Sequence, residues 1–327
     1  MELSVRIERW PLANAFTISR GSKTEAVVVV AELSDGAHRG CGEAVPYARY
    51  GETPEGVVAA IEAIRPALRG GLDRSMLQKA MPAGAARNAL DCALWDLTAK
   101  QTGRRVFDLA GLGAPKPLVT AYTISLAAPQ AMAAAAERAA ARLLLKVKLG
   151  GGDDDDIKRI AEVRRFAPQA ELIVDANEGW RDDNIERNLA ACADAGVTLM
   201  EQPLPEGQDA ALARIKRPMP ICADESVHDR ASLDALSGKY EAINIKLDKT
   251  GGFTEALALA AEAERRGFTL MVGCMVATSL AMAPAMLVAQ RAAVVDLDGP
   301  LLLAQDRPGG LRYSGSTAYP AGPALWG

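Results

Sequence analysis

LLLKVKLG (143–150), ELIVDANE (171–178) and VTLMEQPL (197–204) are three short apolar runs, each closing on charged residues. Five more runs share the form: VTAYTISL (119–126), PICADES (220–226), EAINIKLD (241–248), FTLMVGCM (268–275) and AAVVDLDG (292–299). Seven Ala-rich, helix-like segments lie between the eight. One marker per run gives Lys148, Asp175, Glu201, Asp224, Lys246, Gly273 and Asp296, at intervals of 27, 26, 23, 22, 27 and 23 residues. One strand, one helix and two short loops fill such an interval. Eight βα units closing into a barrel are the natural architecture. An open doubly wound sheet usually carries a Gly-rich first turn, and no GxGxxG is present.

Barrel strands are expected to be apolar almost throughout. Here the charges gather at the C-terminal ends of the strands, where a βα-barrel builds its site. So many buried charges must pair with each other, with a metal or with a substrate. Asp175, Glu201 and Asp224 come from successive strands, about 4.8 Å apart. At matching depth they converge on one cation, and an all-oxygen set suits Mg²⁺. The competing reading is salt bridges to nearby lysines. Lys146 and Lys148, two apart, point to one face and enter the barrel mouth. Lys246 arises four strands from them, on the opposite side of an eight-stranded ring. A substrate at the metal would lie between Lys148 and Lys246, and cationic neighbours would lower a lysine's pKa enough to supply a base.

Outward from the barrel, residues 1–115 read as an α+β unit. VRIERWPL and EAVVVVAEL are strand-like with a turn signal at Asp35-Gly36, and VVAAIEAIRPAL and ARNALDCALWDLTAKQTG are helical by apolar spacing. The expected organisation is an α+β capping domain over 1–115, a (β/α) barrel over 116–300, and a Gly- and Pro-rich tail over 301–327 returning to the cap. Lys and Arg total 37 against 41 Asp and Glu, a net charge of −4, so neither nucleic acid nor a membrane surface is an expected partner. The start, MELSVRIERW, lacks the apolar core of a secretory signal. Five scattered cysteines fit reduced thiols, so a cytoplasmic location is expected. Two histidines, His38 and His228, offer almost no material for a zinc site or a serine triad. The oligomeric state stays open, a homo-oligomer included.

The series KVK, DAN, EQP, ADES, NIKLDKTGG and DLDGP resembles the enolase superfamily, and within it the dipeptide epimerases of the muconate-lactonizing subgroup. The resemblance covers nearly the whole chain; ARNALDCALWDL (86–97) is similar to the last helix of that family's cap. It implies a modified TIM barrel with a capping domain, Lys148 and Lys246 as an acid/base pair flanking the substrate's α-carbon, and Asp175, Glu201 and Asp224 as Mg²⁺ ligands. It also implies a 1,1-proton transfer through a metal-stabilised enolate, and a role in recycling cell-wall peptides. Asp296 and Asp298 resemble the acidic pair that holds a dipeptide's free ammonium group. Lys146 adds positive charge near the bound carboxylate.

SRGSKTE (19–25) and PYARYGET (46–53) fall where the family's two lid loops lie. Arg20 is the candidate partner of a distal carboxylate, with Tyr47, Arg49 and Tyr50 shaping the lid and Thr123 near the dipeptide backbone. The loop pattern looks like that of L-Ala-D/L-Glu epimerases. Three alternatives remain: epimerisation of other dipeptides, another superfamily reaction such as o-succinylbenzoate synthesis or cycloisomerisation, and a catalytically silent metal-binding scaffold. KTGG (249–252) reads as a tight turn that starts the next helix. GGGDDDD (150–156) reads as a solvated loop.

Overall fold

A computed structural model describes residues 1–327. The chain opens with an antiparallel sheet of β1 (Glu2–Ile18), β2 (Gly21–Ser34) and β3 (Arg39–Ala44). Four helices follow: α1 (Pro54–Ala63), α2 (Arg65–Arg69), α3 (Arg74–Ala80) and α4 (Ala85–Thr102), then a single turn, α5 (Val106–Leu109). β3 alternates glycine on the face that meets α4. A Cβ at Gly42 would stand 2.1 Å from the Ala89 carbonyl oxygen, and one at Gly40 2.3 Å from that of Ala93. Strand and helix therefore touch backbone to backbone.

After β4 (Leu118–Val119) the barrel begins. Its units are β5 (Tyr122–Ile124), α6 (Pro129–Arg138), β6 (Leu144–Lys148), α7 (Asp156–Phe166), β7 (Glu171–Asp175), α8 (Ile185–Asp194), β8 (Val197–Glu201), β9 (Ile221–Ala223) and β10 (Ala242–Ile245). Next come α9 (Leu247–Thr250), α10 (Phe253–Arg265), β11 (Thr269–Gly273), α11 (Ser279–Ala289), β12 (Val294–Asp296) and α12 (Gly299–Leu302). The eight strands β5 to β12 pair in chain order, all parallel. The Ala121 amide donates to the Val295 carbonyl at 2.8 Å, which joins the first strand to the last.

Two of the seven expected helices are corrected. The connections after β8 and β9 carry 3-10 turns, Ala210–Ala213 and Arg230–Leu236. Pro203, Pro205, Pro218 and Pro220 crowd the first connection, and proline cannot donate to a helix interior. In the second, Asp229 caps the turn through the Ala231 amide and Gly238, at φ +77°, ends it.

Alternation by two residues layers the barrel interior. Ala121, Leu144, Ile173, Leu199, Cys222, Ala242 and Met271 form one apolar layer across seven strand positions. Two residues further along each chain stand Thr123, Lys146, Asp175, Glu201, Asp224, Asn244 and Gly273. The apolar layer closes the floor, so the polar layer faces the mouth.

Helix α4 docks the cap on the barrel with polar groups. Arg87 donates to the carbonyls of Thr250 (2.7 Å) and Gly251 (3.0 Å), and Asp91 accepts from the Thr254 amide and hydroxyl. A Cβ at Gly251 or Gly252 would lie 2.5 Å from Arg87 or Asp91, so the double glycine admits this helix. The tail forms β13 (Tyr313–Ser314) and β14 (Thr317–Ala318), which pair with β4. It ends on α4, where the Trp326 indole donates to the Cys92 carbonyl at 3.0 Å.

Asp248 ties the two parts together: its Oδ1 accepts from the Val45 amide at 2.9 Å and the Asn88 side chain at 2.8 Å. Burial pushes its carboxyl up to about 7. An unfolded Asp ionises near 4, so the fold holds the proton more tightly across that window. Stability contributed at low pH is then lost as pH rises from about 4 through about 7. Asp248→Asn keeps an oxygen for both donors without the charge. Wild type and variant are expected to melt alike near pH 4, with the variant melting higher at pH 8 by calorimetry. A difference that does not grow with pH would contradict this.

Candidate active site

The triad expected from the sequence is brought together. One carboxylate oxygen each from Asp175, Glu201 and Asp224 lie within 4.8 Å of one another, and all three residues are buried. The register explains this: Lys148 pairs with Asp175, and Asp175 with Glu201, across β6, β7 and β8. The lysines meet the acids. Lys148 Nζ lies 2.6 Å from Asp175 and Lys246 Nζ 2.6 Å from Asp224. Lys146 Nζ contacts Glu201 (2.6 Å), Asp296 (2.7 Å) and Asp175 (3.4 Å).

Four positioning residues carried no sequence-based role. Asn177 donates through its amide and side chain to both oxygens of Asp175, at 2.8 and 3.0 Å. It does so from a left-handed conformation, φ +43°, which Asn tolerates better than most residues. Gln202, at φ +33°, accepts from the Asp224 and Ser226 amides and donates to Tyr240. Asn244 donates to Glu201 at 2.7 Å. Lys249, from the KTGG turn, lies 2.6 Å from Asp224. The only sequence signal for these was their place inside DAN, EQP, NIK and KTGG.

A cavity of about 470 Å³ lies between cap and barrel. Lys148, Lys246, Asp224 and Asn177 border it from the barrel, and Phe16, Arg20, Lys23 and Tyr47 from the cap. Asp296, Asp298 and Thr123 are buried and do not border it. Asp298 accepts from the Thr123 amide at 2.7 Å, and burial beside Asp296 pushes its carboxyl up to about 7. Cys274 borders the cavity and links it to this pair: burial, Asp296 and Asp298 drive its thiol well above its ordinary range. Arg20 is engaged by the protein. Nη1 donates to the Asn177 carbonyl and Glu178, and Nη2 to Tyr47 and Glu225. Arg49 grips Glu178 with two bonds of 2.8 Å, and Tyr50 stacks edge-on against Tyr47 and His228.

Residues 1–111 match the mandelate racemase / muconate lactonizing enzyme N-terminal domain, and residues 131–316 match the enolase C-terminal domain-like family. The chain belongs to the enolase superfamily. Its superfamily relatives include the L-Ala-D/L-Glu epimerase of Escherichia coli K12, 49% identical over 94% of this chain and 96% of that one. An enolase family member from Agrobacterium tumefaciens, solved with sodium and L-Ala-L-Glu, is 58% identical over 99% of each chain, with a TM-score of 0.97. The dipeptide epimerase of Enterococcus faecalis, solved with Mg and L-Leu-L-Tyr, is 28% identical over 98% of each chain, with a TM-score of 0.90. Such relatives are isomerases acting on amino acid derivatives.

The charged layer of this superfamily member fits a divalent cation. Glu201 Oε2 is buried and accepts no hydrogen bond, although the Lys146 ammonium stands 2.6 Å away. Burial, with Asp175 close by, pushes the Glu201 carboxyl up to about 7. Three hard oxygen donors, one of them poorly satisfied, are the donor set Mg²⁺ prefers. The expected lowering of a lysine pKa is not what the carboxylates alone produce. Burial favours the neutral amine of Lys246, yet Asp224 and Glu201 outweigh it and hold the group above its ordinary range. Four lysines (Lys146, Lys148, Lys246, Lys249) face four carboxylates (Asp175, Glu201, Asp224, Asp296), so the cluster is balanced.

Proposed function

We propose that the protein epimerises the second residue of L-Ala-L-Glu and L-Ala-D-Glu by a Mg²⁺-dependent 1,1-proton transfer between two lysines. The observation that carries this reading is one cavity bordered by Lys148 and Lys246, from strands four apart in an eight-stranded ring, beside the carboxylate triad. Asp175, Glu201 and Asp224 would hold Mg²⁺. When bound, the ion offsets the second negative charge that deprotonation places on a substrate carboxylate. Its two charges would also tip the balanced cluster positive, which favours an anionic substrate and a lysine that has given up its proton.

The residues then divide the work. One lysine takes the α-proton from its face and the other returns a proton to the opposite face, which inverts the centre. Lys146 adds positive charge beside the substrate carboxylate. The apolar barrel floor and the cap exclude water, so the proton stays with the lysines. Asp296 and Asp298 would hold the ammonium of the first residue. Asp298→Asn is expected to lower kcat/KM by about two orders of magnitude for all dipeptides alike, the cost of a buried charge without its partner. N-acetyl-L-Ala-L-Glu is expected to be a very poor substrate of the wild type for the same reason. Steady-state comparison of the two substrates decides it: good turnover of the acetylated one would remove the ammonium site, and no turnover of L-Ala-L-Glu would remove the substrate reading.

A further inference from the structure

We infer that Lys23, and not Arg20, meets the acidic side chain of the substrate, while Arg20 latches the lid to the barrel. This rests on the epimerase reading and adds the residue that selects an acidic second position. Both Arg20 and Lys23 border the cavity. The four terminal N–H groups of Arg20 meet four protein acceptors, on residues 177, 178, 47 and 225. A substrate carboxylate would have to displace Glu178 or Glu225, both of them buried or nearly so. Arg20 thereby ties the β1–β2 hairpin to the loops after β7 and β9.

Lys23 is the contrasting case. None of the ion pairs in the structure includes it. Its ammonium stands 5.6 Å from the centroid of the Phe16 ring, and that of Lys148 stands 5.9 Å from the same ring. The two charges therefore lie within about 12 Å of each other. A base within about 3.5 Å of the α-carbon, a Glu side chain reaching about 4 Å and a charge-assisted hydrogen bond of about 2.8 Å cover a comparable span. Burial, aided by Lys148 and Lys246, pushes the Lys23 ammonium down to about 8. An unpaired cation among cations is stabilised by an incoming anion. The mouth thus offers a second positive pole, separate from the triad, suited to a dianionic dipeptide.

The test compares wild type, Lys23→Met, Lys23→Glu and Arg20→Met on L-Ala-L-Glu, L-Ala-L-Gln and L-Ala-L-Lys. Lys23→Met is expected to lower kcat/KM for L-Ala-L-Glu by about 10- to 100-fold, chiefly through KM, and to change L-Ala-L-Gln less than about 3-fold. Lys23→Glu is expected to favour L-Ala-L-Lys. Arg20→Met is expected to slow all three substrates together, because it loosens the lid. The inference is overturned if Lys23→Met harms Glu and Gln equally, or if Arg20→Met alone erases the preference for Glu. Calorimetric binding of L-Ala-L-Glu and L-Ala-L-Gln gives the same comparison without turnover. A wild type that prefers L-Ala-L-Glu in binding yet never exchanges its α-proton would sink the epimerase reading and leave the Lys23 assignment standing.

Discussion

Asp175→Asn, Glu201→Gln and Asp224→Asn are each expected to slow epimerisation of L-Ala-L-Glu by at least about 10³-fold while the protein stays folded. The loss follows from what the triad would do. Removing a proton beside a carboxylate concentrates two negative charges on one group, and a divalent ion is worth several kcal/mol there. About 4 kcal/mol is three orders of magnitude in rate. The fold should survive because each amide still offers an oxygen to its neighbours, including the Asn177 and Asn244 donors. Chelation of the wild type should abolish turnover, and added Mg²⁺ should restore it. The readouts are activity together with the melting temperature. A chelated protein that keeps full activity would contradict the metal assignment.

Lys148→Ala and Lys246→Ala are the second pair of large effects. General acid–base groups contribute about 10²–10⁴ to rate, and inversion at carbon needs one on each face, so either loss should reduce epimerisation by about 10³-fold or more. Arginine should not rescue. It keeps the charge that faces Asp175 or Asp224, yet it stays protonated and cannot act as a base. Lys246→Arg with wild-type kcat would show that the lysine only balances charge, the bland reading its contact with Asp224 at 2.6 Å allows.

The barrel and its charged layer were legible in the chain because both rest on a period of two. Once Leu144 faces the interior, so do Lys146 and Lys148; once Ile173 does, so does Asp175. The residues that hold the ligands were harder to see. Asn177 and Gln202 act from left-handed backbone, and that conformation depends on where the neighbouring loops run. Lys249 reads as part of a turn, and only the approach of β9 to β10 brings Asp224 to its ammonium. Arg20 reads as a free cation because Glu178 and Glu225 lie 158 and 205 residues away in sequence. The 3-10 turns after β8 and β9 show the limit of repeat spacing: the interval counts residues, and prolines and caps decide how many of them can be helical.

The most direct test of two-lysine proton transfer is isotope exchange followed by proton NMR in D₂O. L-Ala-L-Glu and L-Ala-D-Glu are incubated separately with wild type, Lys148→Ala and Lys246→Ala. The wild type should convert each into the other with deuterium at the Glu α-carbon. Each variant should exchange the α-proton of one epimer only, without inversion, and the two variants should choose opposite epimers. Exchange of the same epimer by both variants, or full epimerisation by either, would contradict a base on each face of the carbon.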